Sequence, residues 1–161
     1  MPELTSIREI LDTYGKYSGL TTGTSMNPLL HQGKDTIIVV KPEGRLKKYD
    51  VALYVTPQEK YIMHRVVEVH DDHYIITGDN LLAKEYVTED MICGKLVGFY
   101  KNGKHFVDCE NSKLYKAYSR IWVALRPLRP ALFFCRRVAH LPKWAYGVIK
   151  RKMMKLFKAD K

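Results

Sequence analysis

A chain of 161 residues suits one domain, or one domain with an appendage, and 46% apolar content is enough for a real core. No uncharged stretch approaches the roughly 18 apolar residues of a membrane-spanning helix, which excludes a transmembrane segment but not a segment lying on a membrane. Cys93, Cys109 and Cys135 are odd in number, widely spaced and form no C-x-x-C, which argues against a disulfide framework or structural zinc and fits a reducing compartment.

The net charge of +10 is unevenly distributed: residues 111–161 hold 14 of the 27 Lys and Arg but only one of the 17 acids, Asp160. The sequence therefore divides into a slightly acidic body, 1–110, and a strongly basic tail, 111–161. A block of one sign suggests an acidic partner such as a lipid surface or nucleic acid.

The N-terminus, Met1-Pro2-Glu3-Leu4, has no basic start and no apolar run, so no secretory signal is expected. Residues 5–15 read as a short helix. Ser6 and Glu9 have capping-box spacing, Ile7, Ile10, Leu11 and Tyr14 recur at helical period, and Gly15 closes the pattern. A single helix cannot make a helix-turn-helix head.

From Thr21 onward the pattern is that of strands. Ile37–Val40, Val51–Val55, Tyr61–Val69, Tyr74–Thr77 and Ile92–Phe99 are short and rich in Val, Ile and Tyr. Turns are expected at 56–60, at 70–73 and at Asn102-Gly103, the last leading into His105–Val107. Helical period returns in the tail, where Leu114, Tyr118, Ile121, Trp122 and Leu125 line one face. Pro127, Pro130 and Pro142 cut the remainder of the tail into short pieces. In 143–158, Ala145, Tyr146, Ile149, Met153, Leu156 and Phe157 gather on one side and lysines and Arg151 on the other.

Three segments carry chemistry-bearing residues. Gly23-Thr24-Ser25-Met26-Asn27-Pro28 holds one hydroxyl in a tight turn, as a nucleophilic serine with nearby backbone N–H groups requires; a turn that merely contains a serine looks the same. His64 shares a strand face with Ile62 and Val66, with Arg65 on the other face. It is either a core histidine or a general base. Asp79, in Thr77-Gly78-Asp79-Asn80, either ends a strand or orients the base or its loop. His70-Asp71-Asp72-His73 has metal-type ligands but reads as a solvated turn, so no metal is expected.

Gly-x-Ser-Met-x-Pro-x-Leu, Gly33-Lys34-Asp35, Tyr49-Asp50-Val51-Ala52-Leu53-Tyr54, His64-Arg65-Val66-Val67, Gly78-Asp79-Asn80 and Gly94-Lys95-Leu96-Val97 occur in an order that resembles the type I signal peptidase and LexA-type serine peptidase superfamily. The resemblance covers residues 16–98. It implies a mainly β fold of twisted antiparallel sheets, here with a short N-terminal helix and a basic helical tail. It also implies Ser25 as nucleophile, His64 where most bacterial members carry lysine, and Asp79 where His-type members keep an acid. Backbone N–H groups of Ser25 and Met26 would serve the oxyanion, since the helping serine of many signal peptidases is Gly23 here. Met26 and Pro28 would border the substrate, and no cofactor is implied.

Absence of an N-terminal anchor, of a DNA-binding head and of an Ala-Gly self-cleavage site departs from both parent classes. The expectation is a serine endopeptidase on the cytoplasmic side that removes a leader or signal-type peptide after a small residue. Its partners would be a peptide or protein substrate and, through 143–158, an anionic membrane surface at which the protein is peripheral; the alternative for that helix is packing on the slightly acidic body with its lysines solvated. No specific nucleic acid is expected. The competing reading is a non-catalytic binding or regulatory module that keeps the fold.

Overall fold

In the computed structural model, which describes residues 6–131, the Ser6 hydroxyl accepts from the Glu9 N–H and the Glu9 carboxylate accepts from the Ser6 N–H. This reciprocal cap starts α1 (Ile7–Tyr14). Gly15 ends it in the left-handed conformation, φ 69°, which a residue lacking Cβ adopts without strain.

Eight antiparallel strands follow in one sheet: β1 (Lys16–Leu20), β2 (Thr36–Val40), β3 (Val51–Val55), β4 (Tyr61–Val69), β5 (His73–Thr77), β6 (Glu85–Thr88), β7 (Ile92–Lys101) and β8 (His105–Asp108). Their order is β1-β2-β7-β3-β4-β5-β6, with β8 also paired to β7. β7 pairs with β2 along Lys95–Tyr100, with β3 over Ile92–Lys95 and with β8 from Gly98 to Lys101. The fold is therefore mainly β, as expected from the sequence.

β3 is buried on both faces over four consecutive residues, so two cores share it. Val51 and Leu53 join Leu11, Met26, Leu30, Val39 and Phe99 in one cluster. Ala52 and Tyr54 join Val66, Tyr74, Ile76 and Val87 in the other. In the neighbouring strand His64 is paired with Ala52 and Arg65 with Val51, so period-2 alternation sends these two side chains to opposite cores.

The sequence pattern missed β1 and β6. Each lies at an end of the strand order and has one partner strand, so each buries little: β1 has no buried residue and β6 only Val87. A 3₁₀ turn, Glu89–Met91, links β6 to β7.

The expected body–tail boundary at residue 110 is one of charge, and compactness divides the chain further on. One compact unit runs to Ala124, and α2 (Lys113–Ala124) belongs to it. Of the face expected to be apolar, Tyr118 and Trp122 pack inward on Asp79 and the rest does not. Leu114 and Ile121 are exposed, while Tyr115 and Ser119 are buried. The reason is what lies beneath: Arg65 and Asp79, which take hydroxyl and indole partners rather than aliphatic ones. Residues 125–161 form a second unit, of which a short 3₁₀ turn, Arg126–Leu128, is described. The expected helix 143–158 lies outside the described residues. Among the described residues no helix is long and apolar enough to cross a membrane.

Candidate active site

Ser25 sits in the 21–35 loop between β1 and β2, and that loop is held from both ends. The buried carboxylate of Asp35 accepts from the His31 N–H at 2.8 Å and from the Asn102 N–H at 2.8 Å. Lys101 Nζ donates to the carbonyls of Leu29, at 2.7 Å, and Pro28, at 3.2 Å. Thr21 Oγ1 donates to the His31 carbonyl at 2.6 Å. Met26, Leu29 and Leu30 bury their side chains in the first core, so the residue next to Ser25 is an anchor. Gly23, at φ 78°, turns the chain into the Ser25 segment.

The Gly78-Asp79-Asn80 turn is fastened to this loop. The Asn80 N–H donates to the Ser25 carbonyl at 2.7 Å, and Asn80 Nδ2 donates to the Thr24 carbonyl at 3.3 Å. Gly78 has no room for a side chain. A Cβ there would come within 2.7 Å of the Ser25 carbonyl and 3.1 Å of His64 Nε2. One added methyl would thus touch both, which fixes how closely the Ser25 backbone and the imidazole converge.

His64 is buried, and its Nδ1 lies 3.0 Å from Glu85 Oε2 and 3.2 Å from the Tyr54 hydroxyl. Tyr54 donates to the same Glu85 oxygen in a very short contact. Burial, reinforced by the Glu85 carboxylate, pushes the Tyr54 pKa up, so its hydroxyl keeps the proton it donates. An ionised carboxylate only accepts, so Nδ1 carries the imidazole proton and Nε2 is the free acceptor. Nε2 is the nitrogen beside Gly78.

Ser25, Met26 and His64 line one cavity of about 460 Å³, with Tyr17 and Leu20 from β1, Ile62 and Met63 from β4, and Leu81. No lysine lines it. Pro28, expected at the substrate, is not among its lining residues; it is exposed, its carbonyl bound by Lys101. Among the described residues neither the Ser25 nor the Met26 N–H donates a hydrogen bond. Ser25 and His64 are not hydrogen-bonded to each other.

Asp79 does not reach the imidazole. Its carboxylate accepts from Nε and Nη2 of Arg65, at 2.8 and 2.7 Å, and from the Tyr118 hydroxyl at 3.1 Å, while Trp122 Nε1 donates to its carbonyl at 3.0 Å. Arg65 is fully buried; desolvation disfavours its charge, but the Asp79 carboxylate outweighs this and the guanidinium pKa rises. Of the two roles open to Asp79, orienting the loop matches this geometry and orienting the base does not. The acid that faces His64 is Glu85, which the residue pattern does not single out because β6 is not recognisable in it. Glu85 is paired with Ile76 and Ile76 with Val66, the residue two beyond His64 on the same strand face.

Burial pushes the Cys93 thiol up to about 11 and the Cys109 thiol up to about 12, so neither is a thiolate at neutral pH. His70 stacks on His73 at 4.5 Å and His73 on Tyr86 at 4.4 Å. Comparison with protein-family models and with curated proteins finds no match to this chain.

Proposed function

We propose that this protein is a serine endopeptidase of the signal-peptidase-like type, with Ser25 as nucleophile and His64 as base, acting on a leader or signal-type peptide after a small residue. The observation that carries the reading is the pairing of an Nδ1-protonated imidazole with a serine on one cavity wall. His64 Nε2 takes the Ser25 proton as Oγ attacks the scissile carbonyl. The Ser25 and Met26 N–H groups receive the oxyanion, and Glu85 stabilises the imidazolium. Nε2 then returns the proton to the leaving amine, and water hydrolyses the acyl-enzyme by the same route.

The cavity suits an extended peptide. Among the described residues β1 pairs with no strand but β2, and its Tyr17 and Leu20 line the cavity, so its other edge is where an extended peptide would add a strand. One observation favours the non-catalytic alternative, the missing Ser25–His64 hydrogen bond, although serine sites without substrate often hold their dyads loosely. Ser25→Ala and His64→Ala should each lower cleavage of a leader-peptide library about 10³-fold or more, and the double variant should lose little beyond either. Full activity in Ser25→Ala would refute the dyad, whereas peptide binding without turnover in the wild type would favour the module.

The basic tail supports a peripheral position at the cytoplasmic face of an anionic membrane. Removal of 143–161 should release the protein from anionic vesicles while Ser25-dependent cleavage of a soluble peptide persists. Equal cosedimentation of both forms would exclude that role.

A further inference from the structure

A second cavity, of about 340 Å³, lies between the 47–50 segment, the start of β7 and α2. Its wall carries Lys47, Lys48, Lys95, Lys116 and Arg120 against two carboxylates, Asp50 and Glu110. Both carboxylates are already engaged: Glu110 pairs with Lys95 at 2.8 Å, and Asp50 accepts from the Lys47 N–H at 2.9 Å. Lys47, Lys48, Lys116 and Arg120 form no ion pair within 4.0 Å among the described residues.

Like charges gathered on a concave wall repel one another, and the concavity focuses their field on the space between them. From this geometry we infer that the cavity binds a multiply charged oxyanion of the phosphate-ester class. A monovalent anion would answer only one of the cations, whereas a phosphate ester presents several oxygens to several lysines at once. The volume fits a small phosphorylated group. Leu96, Cys109, Tyr115 and Ser119 complete the lining.

This site connects to the one described above. Arg65 Nη1 donates to Ser119 Oγ at 2.8 Å and to the Tyr49 carbonyl at 3.1 Å, both from residues of this cavity. The other arm of the same guanidinium holds Asp79, whose neighbour Asn80 donates its N–H to the Ser25 carbonyl. The inference does not rest on peptidase activity, and its test reads binding alone.

Pyrophosphate is the probe, titrated into the full-length protein at low salt and matched against sodium chloride of equal ionic strength, with calorimetry and thermal melts as readouts. The expected result is saturable binding with a rise in Tm that chloride does not reproduce. Lys48→Glu with Arg120→Glu, both exposed side chains, should melt like the wild type without ligand and bind at least about tenfold more weakly. No saturable binding in the millimolar range, or undiminished binding by the double variant, would overturn the site. A second arm uses phosphatidylcholine vesicles with roughly 20 mol% phosphatidic acid. Pelleting that pyrophosphate competes away and the double variant loses assigns the site to a lipid headgroup. Pyrophosphate binding without such pelleting assigns it to a soluble phosphate ester.

Discussion

Glu85 Oε2 lies 3.0 Å from Nδ1 of His64, so the buried imidazole is oriented by an acid from β6, two strands away in the sheet order. Tyr54 donates to the same oxygen. Glu85→Gln keeps an acceptor for the Nδ1 proton and removes the charge that would stabilise the imidazolium. The expected result is a fall in kcat/KM on the order of 10²-fold, carried by kcat with KM nearly constant. The Tm should hold, because Glu85 is partly exposed. Steady-state kinetics and a thermal melt of the same variant decide. Unchanged kcat would show that Glu85 does not act through His64.

Much of the fold is legible in the residue pattern because the interior strands are dense in β-branched and aromatic residues. β3 and β4 have the bounds expected from that pattern, and alternation correctly separates His64 from Arg65. The edge strands are not legible. Lys16–Leu20 contains a glycine and two polar residues, and Glu85–Thr88 buries only Val87. Without β6 there is no sign of Glu85, so the role of acid partner falls to Asp79, the acid in the more visible turn. The charge break at 110 falls before α2, which packs with the first compact unit. Composition records the basic outer side of α2, but the placement of that helix is decided by Tyr115, Tyr118, Ser119 and Trp122 against a buried ion pair.

That ion pair leads to the second prediction. Arg65 and Asp79 are both buried, and each is the other's charge partner. Asp79→Ala would leave a guanidinium uncompensated in the interior, a loss of about 3–5 kcal/mol. In a domain of this size that corresponds to a Tm lower by roughly 10 °C or more. Replacing both partners, Arg65→Met with Asp79→Leu, should recover much of the loss, since apolar residues of similar volume need no charge partner. Urea titration of the single and double variants measures this. A catalytic acid would behave differently: Asp79→Asn would cut kcat while the unfolding curve stayed in place.

The pH dependence of stability should carry the signature of Asp35. Its carboxylate is fully buried under the loop that bears Ser25. Burial alone would raise its pKa, but the N–H groups of Asn102 and His31 and the charges of Lys101 and His31 outweigh that, and the net shift is downward. In the unfolded chain the group returns to about 3.9. The unfolded state therefore binds more protons as pH falls, and stability decreases toward acid. The contribution is fully present above the unfolded pKa and is lost as pH drops through the lower folded value. Asp35→Asn keeps one oxygen to accept an N–H but sets an amide where the charge faced His31 and Lys101. The variant should be less stable than wild type at neutral pH, and its stability should fall less steeply between about pH 5 and pH 2. Cleavage should weaken in parallel, because the same carboxylate holds the 21–35 loop. Denaturant melts of both proteins across that range provide the comparison. Curves that run parallel, offset by a constant amount, would show that Asp35 titrates alike in the folded and unfolded chains.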